Sequence, residues 1–364
     1  MFNSSANMKE IESSSVNLIL TSPPYPMIEM WDEQFSSINQ EIREALSNGN
    51  GKKAYELMHE ELNKTWKECE RVLMDGGIAC INIGDATRKI NGDSFQLYAN
   101  HGKIINTFEK LGFSVLPFII WRKETNKPNK FMGSGVLPPN AYVTLEHEYI
   151  LIFKKVRNRN FSPDNLETRH MSSFFWEERN TWFSDIWYDL KGAGQRLNHL
   201  GLREKSAAYP FELAYRLINM YSVQGDTVLD PFLGTGTTML AAMCSMRNFI
   251  GYELEPNFRQ IIASRLKELT PFSQDYNIER LKRHLKFVKE RKETNGNLKH
   301  RSDNYGFEVM ASQESGIVLH HIKDIKQTRD TEFEIIHEQT KLNQEKNESK
   351  HGLRRYVTQV ACFI

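Results

Sequence analysis

The chain has 364 residues, 40% of them hydrophobic, and 47 lysines and arginines against 46 aspartates and glutamates give a formal charge of +1. That is enough for one large domain or two ordinary ones with a real core; it excludes a disordered polymer, and the near-neutral balance leaves any nucleic-acid contact to local patches. No apolar run is long enough to span a bilayer, the start MFNSSANMKEIESSSVN lacks a secretory layout, and the four cysteines form no CxxC or Cys/His pair, so neither zinc nor disulfides are expected and a soluble cytoplasmic protein is.

Short apolar runs alternate with longer amphipathic stretches, the pattern of an α/β sheet. Residues 16–21 (VNLILT) predict a buried strand that runs straight into Ser22-Pro23-Pro24-Tyr25. A helix is expected over 55–73, ended by Asp75-Gly76-Gly77, then a strand over 77–83, a helix over 101–111, and strands over 113–121 and 148–153. Between those two strands, 123–142 is rich in Lys, Asn, Gly and Pro and reads as a long mobile loop. From 156 to 203 the periodicity fails, and basic and aromatic residues interleave. Regular structure resumes with a helix over 210–222, a strand over 227–230, a helix over 237–246, a strand over 248–253 and a helix from 257 to about 269. The remainder differs: a basic helical segment over 279–292, a polar Asn/Gly break, then a stretch of marginal hydrophobicity.

Two motifs carry chemistry. Asp230-Pro-Phe232-Leu-Gly234-Thr-Gly236-Thr237-Thr238 stands directly after a strand and before a helix, where glycines admit a ligand close to the backbone and the helix start offers free N–H groups. A dinucleotide fingerprint is the obvious rival, but the third glycine it needs is a threonine here, and Asp-Pro-Phe ahead of the glycines does not belong to it. The next strand ends in Gly251-Tyr252-Glu253, and an acid at that point is where a ribose diol is ordinarily held. The bland reading of both features is a strand–turn–helix followed by a surface glutamate. The second motif, Thr21-Ser22-Pro23-Pro24-Tyr25, pairs a hydroxyl with a proline-stiffened carbonyl, two acceptors for the two protons of an amino group, and follows them with an aromatic ring able to stack on a base. Alone, it can equally be a Pro-Pro turn with a packed tyrosine.

Together, TSPPY and DPFLGTGTT resemble the amino-methyltransferases of DNA, in the permuted order that places the catalytic motif before the cofactor motif. Ser-Pro-Pro-Tyr in that family usually accompanies N4-cytosine enzymes, and Asp-Pro-Pro-Tyr N6-adenine enzymes. Residues 207–218 (AAYPFELAYRLI) resemble the helix preceding the glycine loop, 249–256 (FIGYELEP) the ribose-binding strand, and 147–154 (HEYILIFK) a late strand of the catalytic half, so the likeness covers about 15–270. The Gly-Asp pair common upstream of the first strand is replaced by Asn3-Ser4-Ser5. The resemblance implies a Rossmann-like α/β methyltransferase with an inserted target-recognition region. Its ligands would be S-adenosyl-L-methionine and double-stranded DNA, in functional pairing with a cognate restriction endonuclease.

The implied roles are catalytic for Ser22, Pro23, Pro24 and Tyr25, the tyrosine stacking on an extruded base. Cofactor binding falls to Asp230, Phe232, Gly234, Gly236, Thr237 and Glu253, with Phe211 beside the methionine end. DNA contacts are expected from Arg157, Arg159, Arg169, Arg179 and Arg196, and from Lys123 and Lys127 of the loop; a satellite core with a solvated rim is the alternative for that region. The expected divisions are 1–155 (catalytic half), 156–203 (target recognition), 204–272 (cofactor half) and 273–364 (an appendage). No metal and no membrane contact are expected, and monomer and homodimer stay open. N6-adenine methylation is the nearest rival; RNA or protein-amide methylation, or a module that grips DNA without chemistry, are further ones.

Overall fold

The computed structural model of the protein describes residues 4–90, 95–123, 132–191, 209–342 and 356–363. Its centre is an eleven-stranded sheet whose strands, in chain order, are β1 (Val16–Thr21), β2 (Leu73–Ile83), β3 (Phe113–Val115), β4 (Ile119–Arg122), β5 (His147–Lys155), β6 (Ile186–Trp187), β7 (Thr227–Asp230), β8 (Asn248–Tyr252), β9 (His320–Arg329), β10 (Glu332–Gln339) and β11 (Tyr356–Phe363). The spatial order is β6-β4-β5-β2-β1-β7-β8-β11-β10-β9, with β3 pairing β5. From β2 through β1, β7 and β8 to β11 every neighbour is parallel, while β5 and the β9–β10 hairpin run against their neighbours.

Successive side chains of β1 point to opposite faces, and the sequence fills both with apolar groups. Leu18 and Leu20 join one core with Val228, Leu213, Leu217, Leu240 and Met243, whereas Ile19 joins the other with Ala79, Ile81, Trp66 and Phe108. Val16 falls in the second core too, at the end of β1 where the β1–β2 register shifts.

Helices cover both faces. α1 (Asp32–Ile38), α2 (Gln40–Ser47), α3 (Gly51–Val72) and α4 (Asn100–Lys110) serve the second core; α7 (Phe211–Tyr221), α8 (Thr237–Cys244), α9 (Phe258–Lys267) and α10 (Leu269–Asn295) lie with the first. α3 shows how sequence sets this. Asn50 caps it by accepting the Lys53 N–H at 3.0 Å, and Ala54, Met58, Leu62, Trp66 and Cys69, spaced three or four apart, form its buried stripe. Each such large side chain stabilises by about 1.5–3 kcal/mol relative to exposure. Two short helices, α5 (Pro163–Met171) and α6 (Trp176–Trp182), occupy the stretch where the sequence loses its period.

The predicted strands at 16–21 and 227–230 match residue for residue, and the helices and other strands of the methyltransferase-like region shift by a few residues at their ends. The predicted strand over 113–121 is two short strands. The segment expected as an appendage contributes β9, β10 and β11 to the central sheet, and Ile322, Ile335, Val360 and Cys362 belong to the first core. Arg280, in the basic run, is buried between Glu178 (2.6 and 2.7 Å) and the Tyr215 hydroxyl (3.0 Å); it ties α10 to α6 and α7 and faces no solvent phosphate. No helix of the described residues is long and apolar enough to cross a membrane.

Sheet topology places a crevice. The chain leaves β1 toward β2 on one side and returns through β7 on the other, so the two connections diverge at the C-terminal ends of β1 and β7. Ligands of open parallel sheets bind at such switch points. Both predicted motifs stand there.

Candidate active site

A cavity of about 380 Å³ opens at this point. Ser22, Pro23 and Pro24 form one wall; Asp230 to Thr235, Thr237 and Thr238 form another; Tyr252 to Glu255 and Phe258 form a third. The turn before α1 adds Trp31 and α1 itself adds Gln34, and Tyr209 enters ahead of α7.

Asp230 organises the floor. Its carboxylate, 2% exposed, accepts the Thr21 hydroxyl at 2.6 Å, the Thr238 hydroxyl and the Phe232 N–H at 3.0 Å, and Tyr209 bonds Thr238 in turn. Burial raises its carboxyl from 3.8 to about 6 against these three hydrogen bonds, which pull the other way. Glu253, just past β8, accepts the Gly234 N–H at 2.7 Å and the Glu255 N–H at 2.8 Å, and burial raises its carboxyl as well. Gly236 caps α8 with φ +78°, left-handed backbone that a side chain resists; a Cβ there would also meet Ile262 at 3.2 Å.

On the opposite wall, the Ser22 hydroxyl lies 3.0 Å from the Tyr25 hydroxyl, which donates to Glu148 Oε2 at 2.9 Å. Asn82 Nδ2 donates to both Tyr25 (2.8 Å) and Glu148 (2.7 Å), and Lys123 reaches the other Glu148 oxygen at 2.6 Å. The Tyr25 ring is buried against Gly84, where a Cβ would come within 2.9 Å of it.

These positions sort the predicted residues. Ser22, Pro23, Pro24, Asp230, Phe232, Gly234, Thr237 and Glu253 meet at one cavity, with Gly236 behind it. Tyr25 does not line it: its ring is 6% exposed and turned inward by its bonds to Glu148 and Asn82, so it is not placed to stack on a base. Phe211 also turns away, packing on Phe272 and Tyr276 of α10, and Tyr209 takes the place beside the cavity.

The expected DNA contacts scatter. Arg157 and Arg159 follow antiparallel β5, so they emerge at the N-terminal ends of the parallel strands, roughly 15 Å or more from the crevice by the length of β1. Arg159 is held in a two-pronged ion pair with buried Asp226 (Nη2 to Oδ1 2.8 Å), and Arg157 sits 3.4 Å from Asp75. Arg169 lies over Phe161 and Arg179 over Phe183, both exposed and both lining a second cavity at that far end together with Arg159. Lys123 is engaged by Glu148. Lys127 and Arg196 lie outside the described residues.

Sequence reasoning passed over Asn82, Glu148 and Tyr209. Glu148 had one available signal: a carboxylate directly ahead of the apolar run YILIF. Asp32, at the start of α1, pairs with Arg88 at 2.6 and 2.9 Å.

The cavity suits S-adenosyl-L-methionine. Its volume falls in the range of small-molecule sites, its two carboxylates suit a cationic ligand bearing a ribose diol, and the Gly234 N–H lies at its wall. Three findings from known proteins agree. The sequence signature of the DNA methylase family, the N6/N4 amino-methyltransferases, matches residues 16–264. The chain is 54% identical over 347 residues, 95% of its length and 96% of the relative's, to type II methyltransferase M.MthZI of Methanothermobacter thermautotrophicus; it is 49% identical, over 78% of its length and 96% of the relative's, to type II methyltransferase M.MjaI of Methanocaldococcus jannaschii. A putative DNA modification methylase of Thermus thermophilus, solved in complex with S-adenosyl-L-methionine, superposes with a TM-score of 0.57 at 29% identity, over 74% of this chain and 93% of that one. The chain belongs to the DNA methylase family and is an S-adenosyl-L-methionine-dependent DNA methyltransferase.

Proposed function

We propose that the chain methylates N4 of cytosine in duplex DNA as the modification half of a type II restriction-modification system. The observation that carries this reading is Ser22, whose hydroxyl stands on the wall of the cavity that Asp230 and Glu253 close from the other side. The naming of M.MthZI and M.MjaI as type II methyltransferases supports the biological setting.

S-adenosyl-L-methionine, when bound, supplies a methyl group on a positively charged sulfur. Glu253 would hold its ribose and Asp230 its cationic end, with Gly234 giving close backbone approach. An exocyclic amine is a poor nucleophile because its lone pair is delocalised into the ring. Accepting its two N–H groups at Ser22 and the Pro23 carbonyl favours a pyramidal nitrogen and aims the freed lone pair. The protein's contribution is orientation and electrostatic fit in a cavity walled by fixed dipoles. All four cysteines are buried and unpaired with their thiols pushed up by burial, which suits this direct transfer and not a thiolate-addition route.

Digestion of plasmid DNA from cells expressing the chain, with mass spectrometry of the nucleosides, tests this. N4-methylcytosine is expected. N6-methyladenine in its place overturns the base assignment, since the adenine amino group offers the same two protons to Ser22. Neither mark, from protein that binds the cofactor, overturns the proposal that the target is a DNA amino group.

A further inference from the structure

The reading above needs Ser22 to accept, yet a serine hydroxyl donates as readily as it accepts. The residues behind it decide which. We propose that Glu148 is a positioning residue that fixes the direction of the hydrogen bonds running to Ser22, so that the serine meets the target amino group with a lone pair; the inference rests on the amino-methylation reading.

Glu148 is 8% exposed and is the second residue of β5, opposite Trp121 in β4, which brings its carboxylate to the catalytic end of the sheet. The ion pair with Lys123 occupies Oε1, and a carboxylate only accepts. Tyr25 therefore spends its single proton on Oε2 at 2.9 Å. With that proton committed, the Tyr25 oxygen can only accept along the 3.0 Å contact to Ser22, and Ser22 must be the donor. The serine proton thus points inward; one lone pair of its oxygen faces Asn82 Nδ2 at a long 3.5 Å, and the other is the group left for the cavity.

Asn82 reinforces the direction. Its Nδ2 gives its protons to Tyr25 at 2.8 Å and Glu148 at 2.7 Å. The flipped amide would set Oδ1 against the Glu148 carboxylate at that same short distance, acceptor against acceptor, so the carboxylate fixes the amide too. In the amide orientation present, Asn82 Oδ1 points away from the carboxylate and has no protein hydrogen-bond partner among the described residues. Glu148→Gln keeps the shape and removes the constraint. An amide at that position can donate to Tyr25, reverse the chain and turn the Ser22 proton toward the substrate, hydrogen against hydrogen.

The test is steady-state methylation of plasmid DNA by purified full-length protein, alongside calorimetric binding of S-adenosyl-L-methionine. E148Q is expected to lower kcat about 10²-fold, the scale for a misdirected preorganised dipole, with KM for DNA and cofactor Kd changed less than about threefold. Tyr25→Phe cuts the chain at its next link, so Y25F should fall comparably, and E148Q combined with Y25F should be no worse than either alone. Glu148→Asp, which keeps an acceptor-only group, should recover part of the activity. Undiminished kcat in E148Q overturns the proposal, and so does a loss of cofactor affinity or melting temperature that parallels the loss of activity. A wild-type chain that methylates no DNA amino group brings down the underlying reading instead, before any variant is compared.

Discussion

Thr21 donates its hydroxyl proton to Asp230 across 2.6 Å, joining the residue ahead of the serine–proline turn to the carboxylate that opens the glycine loop, 209 positions later. Thr21 is fully buried and Asp230 nearly so. One carboxylate therefore sets the spacing between the wall meant for the base and the wall meant for the cofactor.

Replacing Thr21 by valine, which has nearly the same shape, leaves that carboxylate one donor short. A buried acceptor without its partner costs about 1–3 kcal/mol. T21V is expected to melt several degrees lower and to bind the cofactor more weakly, as read by thermal denaturation and calorimetry. Unchanged stability would show that water replaces the hydroxyl.

Asp230 also gives the site a pH dependence. Its carboxyl is raised from 3.8 to about 6 in the folded free protein, so the native state holds the proton more tightly than the unfolded chain. Its contribution to stability is accordingly fullest below about 3.8 and is lost as pH rises through about 6. Ligand binding runs the other way, since a cation prefers the ionised carboxylate. Cofactor affinity should fall up to about tenfold per pH unit below that value, and the slope should vanish in Asp230→Asn. Equal slopes in the two proteins would assign the dependence to another group.

Ser22→Ala removes the hydroxyl from the cavity wall without touching the cofactor side. Methyl transfer is expected to drop about 10²-fold or more while cofactor affinity holds within about twofold. The pairing of the two measurements matters, because a fall in both would mean that the turn had collapsed.

Arg159 separates structure from recognition. Its ion pair with Asp226 lies at the end of the sheet away from the crevice. Arg159→Ala strands a carboxylate that is 6% exposed and should cost about 2 kcal/mol, less than a fully buried pair because the arginine is partly solvated. DNA affinity at fixed salt should stay as it was, and a tenfold loss in a filter-binding titration would return Arg159 to the nucleic-acid interface.

What could be read from the sequence was whatever is decided locally. VNLILT before Ser-Pro-Pro and TVLD before Pro-Phe-Leu-Gly combine an apolar run with residues that must end it, and both strands match to the residue. The cavity walls followed from the same two turns. What escaped depends on pairing across the chain. Tyr25 looked like a stacking ring because its neighbours in sequence are turn residues; its partners Asn82 and Glu148 come from two other strands. Phe211 and Tyr209 are two residues apart, and the packing of α10 on Phe211 leaves Tyr209 for the cavity. The arginines after 156 share a composition, but the antiparallel course of β5 sends the first two to the wrong end. β11 was hidden for a related reason. Among its described side chains Thr358, Val360 and Cys362 are the buried ones, an alternation too brief to stand out without its neighbours.

β11 lies between β8 on one side and β10 on the other, yet both of those strands precede it in the chain. As the polypeptide leaves the ribosome, the β9–β10 hairpin thus has no place in the sheet until the last strand is made. Until then β8, which leads to Glu253, stays an unpaired edge open to intermolecular pairing. β8, the strand that delivers Glu253 to the cavity, thus becomes an interior strand only through a pairing with residues more than a hundred positions further along the chain.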